Sequence, residues 1–356
     1  MRERVNDEEG PAGMTRIPKP LCEGARRDRI PADPLAFLDS LEGPTVWRVG
    51  GKDPSRVRMV TTLLHGNEPS GFLAIHDWLR SGEYPETDVV FVIAHVEAAS
   101  HHPVFTHRRL PERRDLNRCF LGPFDDVEGE IARGILDVIA DVKPEAVIDL
   151  HNNTGHNPAY GVGIEPTREA LTLTALFGRD FVWSHLVLGA LLEAVKDCPA
   201  VTLEVGKSHD AGADRVAREG LSRFLTAKTL FESGGPDPDV RVLLMPMRAR
   251  LVPGTTLVMS NVPDAGADLT MPDDLDRHNF ETVPTGSRVG WVKGEACPLE
   301  LVDEEGVDRA PEYFEVKGGE LVAKRPFMPI MITVDAVVAA SDCLFYVVHE
   351  VGDAPA

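Results

Sequence analysis

Residues 57–68 read VRMVTTLLHGNE, an apolar and β-branched run that ends abruptly in small and polar residues. Such a run is typical of a strand buried within a sheet. The segment FLAIHDWLR that follows at 72–80 has the apolar spacing of a helix. A strand that leads at once into a helix is the repeating unit of α/β proteins. This stretch therefore predicts an α/β fold in which reactive side chains lie where a strand ends.

The same alternation continues along the chain to about residue 235. Further strands are predicted over 88–94, 146–151 and 200–206, and further helices over 128–142, 185–195 and 214–233. After GGPDPD at 234–239, short β-like runs replace this alternation. We predict a flexible N-terminal arm over 1–35, an α/β domain with a mixed, largely parallel sheet flanked by helices over 36–239, and a smaller β-rich C-terminal domain over 240–356.

The charge balance limits the partners that this chain can have. Its 356 residues include 57 Asp and Glu against 37 Lys and Arg, a formal net charge of −20. A protein that binds nucleic acid needs a basic surface, and an anionic membrane would repel this chain. We therefore expect neither as a partner. One segment, 101–118, reverses the balance with five arginines and three histidines against two carboxylates, so it predicts capture of a small anion.

The cysteines and the hydropathy pattern indicate a compartment. The five cysteines are widely scattered and form no Cys-x-x-Cys pair, which is typical of reduced thiols in the cytosol. The first ten residues lack the apolar run of a signal peptide, and no stretch of 18 apolar residues is present to cross a membrane. These features predict a cytoplasmic protein.

Three predicted strands end in side chains that can bind a metal or move a proton. His65 and Glu68 follow the first strand, His151 ends a second, and Glu204 lies near the end of a third. In open α/β sheets, ligands sit beyond the carboxyl ends of the strands. Two imidazoles and one carboxylate with a vacant fourth position make the ligand set of a catalytic zinc site. Asp149, two residues before His151, is placed to orient that imidazole.

Four motifs occur in order: HGNEPSG at 65–71, RRDLNRCF at 113–120, DLHNNTG at 149–155 and TLEVGK at 202–207. Together they resemble the succinylglutamate desuccinylase/aspartoacylase family, a branch of the zinc carboxypeptidase-like superfamily. NFETVPTGS at 279–287 is similar to the C-terminal domain of that family. The resemblance implies a zinc carboxypeptidase-like fold.

The resemblance also implies a mononuclear zinc amidohydrolase, with one zinc ion per chain, that removes an acyl group from the nitrogen of an amino acid. His65, Glu68 and His151 match the zinc ligands of the family. Glu204 matches the carboxylate that serves as general base toward water and then as acid toward the leaving amine, which is chemistry that a carboxylate beside a metal site can perform.

The substrate-binding residues also come from the resemblance. Asn117 and Arg118 match the pair that binds the substrate carboxylate, and a guanidinium suits bidentate recognition of that group. Asp115 is placed to orient the pair. Asn152, next to a predicted zinc ligand, and Tyr313, in the β-rich region, are further predicted substrate contacts.

The family uses an additional arginine to polarise the scissile carbonyl. The family spacing ahead of DLNR falls here on Leu110, which is surrounded by Arg108, Arg109, Arg113 and Arg114. We favour Arg109, which assumes one inserted residue near Pro111. The other three arginines remain alternatives at this point.

We therefore expect a deacylase that acts on a small, anionic N-acyl amino acid or a related amide. The arginine that precedes the catalytic glutamate in aspartoacylases has no counterpart before Glu204, which argues against N-acetylaspartate. A carboxypeptidase that cleaves short peptides and a non-catalytic zinc-containing binding protein are the alternatives. A homo-oligomer is compatible with the sequence.

Overall fold

The computed structural model describes residues 21–24, 26–232, 237–341 and 343–351. The chain divides into two compact units. The first contains most of the chain up to Val240, and the second contains 153–158, 182–185 and the chain from Arg241 onward. Residues 1–20 of the predicted N-terminal arm lie outside the described residues. No helix among the described residues is long and apolar enough to cross a membrane.

Up to residue 240 the described chain alternates strands and helices. The strands are β1 (Cys22–Glu23), β2 (Thr45–Val49), β3 (Asp53–Thr62), β4 (Thr87–Ile93), β5 (Ala146–Asn153), β6 (Tyr160–Gly163), β7 (Asp180–Trp183) and β8 (Ala200–Lys207). The helices are α1 (Pro34–Asp39), α2 (Ser70–Ser81), α3 (Val96–Ser100), α4 (Val127–Val142), α5 (Arg168–Ala175), α6 (Leu191–Ala194) and α7 (Ala211–Thr226). Short 3-10 turns cover Arg27–Arg29 and Leu116–Arg118.

These strands form one mixed sheet in the order β1-β2-β4-β3-β5-β8-β6-β7. Strand β3 pairs in parallel with β4 and with β5, whereas β2 and β6 pair antiparallel to their neighbours β4 and β8. Apolar side chains of β3, β4 and β5 pack with those of α4 in a fully buried cluster that includes Met59, Val90, Val147, Ile135 and Val138. The central parallel strands are therefore packed tightly against α4 and present their carboxyl ends along one edge.

The helix ends follow from local chemistry. The side chain of Asp126 accepts the backbone N–H of Gly129 and so caps α4, and Asp210 caps α7 in the same way. Helix α4 ends where Lys143 adopts a left-handed conformation one residue before Pro144, which lacks the N–H needed to continue a helix. Gly82, with φ of 76°, ends α2. The helices that flank the sheet therefore have ends fixed by the sequence itself.

The chain from residue 241 is β-rich. Its strands are β9 (Arg241–Leu251), β10 (Leu257–Met259), β11 (Leu269–Met271), β12 (Arg288–Val292), β13 (Leu299–Val302), β14 (Phe314–Lys317), β15 (Glu320–Ala323), β16 (Met328–Ile330) and β17 (Phe345–Glu350). The short helices are α8 (Ala310–Tyr313), α9 (Ala336–Ser341) and the 3-10 turn Leu275–His278. Strands β10-β11-β12-β15-β14 form a five-stranded sheet, and β9 pairs antiparallel with β13 and β17.

This architecture confirms the predicted fold class, a mixed and largely parallel sheet flanked by helices with a smaller β-rich C-terminal part. Two helix predictions need correction. The segment 185–195 is helical only over Leu191–Ala194, and the helix predicted over 214–233 spans Ala211–Thr226 instead. The first error matters for the site, because the residues ahead of Leu191 form a loop that is held by specific hydrogen bonds.

Candidate active site

His65, Glu68 and His151 meet where β3 and β5 end. His65 Nδ1 lies 2.8 Å from one carboxylate oxygen of Glu68, and His151 Nδ1 lies 2.7 Å from the other. The three side chains are buried, and one ligand atom from each lies within 4.8 Å of the others. The structure therefore brings the three predicted zinc ligands into one cluster, with both Nδ1 atoms directed at the same carboxylate.

The turn that carries His65 and Glu68 depends on Gly66. A Cβ at this position would lie 2.6 Å from backbone atoms of Ala98 and Ala99 and 2.7 Å from the carbonyl oxygen of His107. Only glycine fits there without displacing the neighbouring backbone. Packing therefore requires the glycine of the HGNE motif, because α3 and the arginine-rich loop both approach this turn closely.

Two further carboxylates hold the outer nitrogens of the imidazoles. Asp115 Oδ1 lies 3.1 Å from His65 Nε2, and Asp149 Oδ2 lies 2.6 Å from His151 Nε2. A carboxylate on the outer nitrogen fixes the orientation of a ligand histidine and increases its basicity. The contact of Asp149 agrees with the sequence-based expectation. The contact of Asp115 with His65 was not anticipated, because it depends on how residues 108–118 fold back onto β3.

The charges of this cluster are strongly coupled. Burial alone would raise the pKa of Glu68, but the two imidazoles beside it outweigh burial and hold that pKa well below its usual range. Burial would lower the pKa of His151, but Asp149 and Glu68 outweigh burial and raise it well above its usual value. Burial also opposes ionisation of Asp115, yet His65 and Arg108 keep its pKa far below normal. The site therefore concentrates ionised carboxylates around two imidazoles.

Glu204 lies on β8 and pairs in register with Tyr160 of β6. Burial raises the pKa of Glu204 to about 8, with Glu68 and Asp149 adding to the rise and with His151 and Arg108 opposing it. The charges of the cluster therefore act on Glu204, whose strand β8 lies next to β5 in the sheet. A carboxyl group whose pKa lies near neutrality can both accept and return a proton.

Arg108 is the arginine of the basic loop that reaches the cluster. Its guanidinium donates to Asp115 Oδ2 at 2.9 and 3.0 Å and lies 3.7 Å from Glu68. Arg109, favoured from the sequence, is exposed and donates instead to the backbone carbonyl of Arg113. The geometry therefore favours Arg108 over Arg109 for contact with a group bound at the cluster.

The other loop arginines differ in their partners. Arg113 pairs with Glu97 and lies 3.6 Å from Glu128, and Arg114 forms a two-pronged pair with Asp126. Arg118 is exposed and donates to the carbonyl of Asn117 at 2.7 Å. Within the part of the chain that the structure describes, no carboxylate lies within ion-pair distance of Arg118. Its guanidinium is therefore available to an external carboxylate.

The two predicted asparagine contacts have structural partners. Asn117 Oδ1 accepts the backbone N–H of Leu191, the first residue of α6. The amide of Asn152 donates to Ser70 Oγ and to the carbonyl of Gly206, and its oxygen accepts the N–H of Ser70. The backbone N–H of Asn152 also donates to Glu68 Oε2 at 3.2 Å. Asn152 therefore ties β5, α2 and β8 together and supports Glu68.

Tyr313 lies in the second unit, where it is 3% exposed. Its hydroxyl is 3.1 Å from His349 Nε2, and the guanidinium of Arg325 stacks over its ring. These contacts are those of a core side chain with a satisfied hydroxyl. The predicted contact of Tyr313 with substrate stays a prediction.

Comparison with known proteins agrees with the geometry. Residues 58–226 match the succinylglutamate desuccinylase/aspartoacylase catalytic domain. No curated protein sequence matches the chain significantly. Similar solved structures include a succinylglutamate desuccinylase/aspartoacylase from Rhodobacter sphaeroides (18% identity, 85% of this chain and 88% of that chain covered, TM-score 0.57). Two others are the ectoine utilisation protein EutE (DoeB) from Ruegeria pomeroyi (19%, 85% and 87%, 0.53) and a succinylglutamate desuccinylase from Vibrio parahaemolyticus (15%, 90% and 95%, 0.57).

Proposed function

Since the chain belongs to the succinylglutamate desuccinylase/aspartoacylase family, we propose that it is a zinc-dependent amidohydrolase that removes an acyl group from a small N-acyl amino acid. The single observation that carries this proposal is the buried cluster of His65, Glu68 and His151, whose charges act on Glu204 of the neighbouring strand. The family supports a hydrolase. The cluster and the basic loop beside it support the metal dependence and the anionic amide substrate.

The cluster has the chemistry of a divalent-cation site. Both imidazoles direct Nδ1 at Glu68, and each outer nitrogen is held by a carboxylate. His151 contacts carboxylates through both nitrogens, so a proton on Nδ1 occupies the place that a cation would take. His65, Glu68 and His151 would hold one zinc ion per chain, and zinc lowers the pKa of a coordinated water to about 7 and polarises a carbonyl.

The residues of the chain itself provide the rest of the reaction. Glu204 accepts a proton from the attacking water and later donates it to the departing amide nitrogen. Arg108, which already contacts Asp115 and lies near Glu68, donates to the carbonyl oxygen as negative charge develops there. Arg118 pairs with the carboxylate of the substrate. Together these groups fix the amide between a proton carrier and a cationic donor.

The compartment and the size of the substrate are part of the same proposal. The described residues contain five cysteines and no disulfide, which suits the reducing cytoplasm. A small anionic substrate is compatible with a chain of net charge −20, because the basic segment 101–118 gives a local attraction.

The proposal is tested with a panel of N-acyl amino acids and dipeptides, assayed by amine release with the zinc-loaded protein and after treatment with a chelator. We expect hydrolysis of N-acyl amino acids, loss of activity on chelation and recovery on addition of zinc. His65→Ala and His151→Ala should lose zinc, as measured by elemental analysis. Preferred cleavage of dipeptides would favour a carboxypeptidase, and zinc binding without any turnover would favour a binding protein.

A further inference from the structure

The segment ahead of α6 is an ordered loop with its own bracing. The carboxylate of Glu193 accepts the backbone N–H of Leu188 at 2.9 and 3.0 Å and that of Gly189 at 2.7 Å. Gly189 has φ of 83°, a conformation that glycine adopts without strain. The loop conformation is therefore held by the carboxylate of Glu193, five residues after Leu188, and by the positive φ of Gly189.

This loop lies directly against the turn that carries Arg118. The backbone N–H of Phe120 donates to the carbonyl of Gly189 at 3.0 Å, and Asn117 Oδ1 accepts the N–H of Leu191 at 3.0 Å. A Cβ on Gly189 would lie 2.6 Å from the carbonyl oxygen of Arg118. The loop at Gly189 therefore packs against the backbone of Arg118, the arginine that we assign to the substrate carboxylate.

Three large apolar side chains on these two adjoining segments face solvent. Val187 is 76% exposed and Leu188 is 45% exposed on the loop, and Leu121, the residue after Phe120, is 51% exposed. We call these three residues the apolar shelf. A patch of exposed apolar residues in an ordered part of a protein indicates a surface on which an apolar group can bind. The shelf borders Arg118, which has no carboxylate partner among the residues that the structure describes, so the shelf combines an apolar surface with an anion-binding group.

The charges of the loop argue against a second carboxylate on the substrate. Of the other loop arginines, Arg108, Arg113 and Arg114 already pair with carboxylates of the protein, and Arg109 donates to the backbone carbonyl of Arg113. A second acidic group near Arg118 would have to compete with these contacts or stay unpaired, so it gains no ion pair there. An apolar group beside the carboxylate gains contact with the shelf instead.

On the basis of the proposed function, we propose that the apolar shelf binds the side chain of the amino acid in the substrate and selects N-acyl derivatives of apolar amino acids. The scissile carbonyl belongs at Arg108 and Glu204, and the carboxylate belongs at Arg118. In an N-acyl amino acid the side chain is attached to the same carbon as the carboxylate. The group that reaches the surface beside Arg118 is therefore the amino acid side chain.

The test compares kcat/KM for N-acetyl-leucine and N-acetyl-aspartate in the zinc-loaded wild type and in the double variant Val187→Ser/Leu188→Ser. We expect the wild type to prefer N-acetyl-leucine. The double variant should lose that preference by about tenfold or more, since even one methylene in an apolar pocket changes discrimination by this factor. Val262→Ser changes a side chain that is 68% exposed in the second unit and should leave the ratio unchanged.

Several results would overturn the proposal. Equal hydrolysis of the two substrates, or an unchanged ratio in the double variant, contradicts the shelf while leaving the amidohydrolase intact. A change of oligomeric state in the variant, measured by light scattering, with an unchanged ratio assigns the shelf to contact between copies of the chain. If the zinc-loaded wild type hydrolyses no N-acyl amino acid, the proposed function fails and the shelf proposal fails with it.

Discussion

Replacing Arg108 with alanine tests whether Arg108 or Arg109 donates to the carbonyl oxygen of the substrate. The side chain of Arg108 is 43% exposed, and Asp115 keeps its contacts with His65 and with the N–H of Asn117 without it. A partly exposed ion pair contributes about 1 kcal/mol or less to stability, so the variant should fold. Removal of a donor to a developing oxyanion costs about 10²–10³-fold in kcat. The expected loss of activity is therefore far larger than any loss of stability.

Arg109→Ala is the matched control, because Arg109 is the next residue, carries the same charge and donates to the backbone carbonyl of Arg113. We expect its kcat to stay within about twofold of the wild type. The assay is steady-state amine release from the best N-acyl amino acid, together with zinc content and thermal melting of each variant. A low kcat in Arg109→Ala with a near-normal kcat in Arg108→Ala would refute the assignment of Arg108 and restore the choice favoured from the sequence.

Three further predictions follow from the same contacts. The raised pKa of His151 keeps it protonated near neutral pH in the metal-free protein, so zinc must displace that proton. The apparent zinc affinity, measured by competition with a chromophoric chelator, should therefore rise about tenfold per pH unit at pH values below that raised pKa. A zinc affinity that does not change with pH would contradict the ligand assignment. Asn152→Ala breaks three buried side-chain hydrogen bonds and should cost about 2–4 kcal/mol in urea unfolding, whereas Asn261→Ala, at an exposed site, should cost little. Arg118→Ala should raise KM and leave the zinc content unchanged. Arg218→Ala, which removes an exposed arginine paired with Asp77, should leave KM unchanged.

Much of the fold could be predicted because its elements carry strong local signals. The buried run before His65 and the segment at 146–151 are rich in β-branched and apolar residues, and they form adjacent parallel strands. Their carboxyl ends meet at one edge, so the proximity of His65, Glu68 and His151 follows from topology and needs no knowledge of side-chain contacts. The N-terminus of α4 is equally clear in the sequence, because Asp126 is a capping residue just before the helix.

The helix prediction for 185–195 was wrong, and the roles predicted for Arg109 and Asn152 stay predictions, because tertiary contacts decide each of these features. The apolar letters of 185–195 fit a helix, but the carboxylate of Glu193 and the positive φ of Gly189 hold the first part as a loop. Arg108 and Arg109 are adjacent and identical in type, and only the position of Asp115 directs the first toward the cluster. Asn152 stands beside a ligand in the sequence, yet its amide is used by neighbouring elements.

The most direct test of the central claim is the turnover of Glu204→Gln in the zinc-loaded protein. The substitution keeps the shape of the side chain but removes the carboxylate that accepts and returns the proton. We predict one zinc ion per chain, as in the wild type, and a kcat reduced by about 10²–10⁴-fold. Near wild-type turnover with full zinc occupancy would contradict the assignment of Glu204 as general base and the mechanism proposed around it.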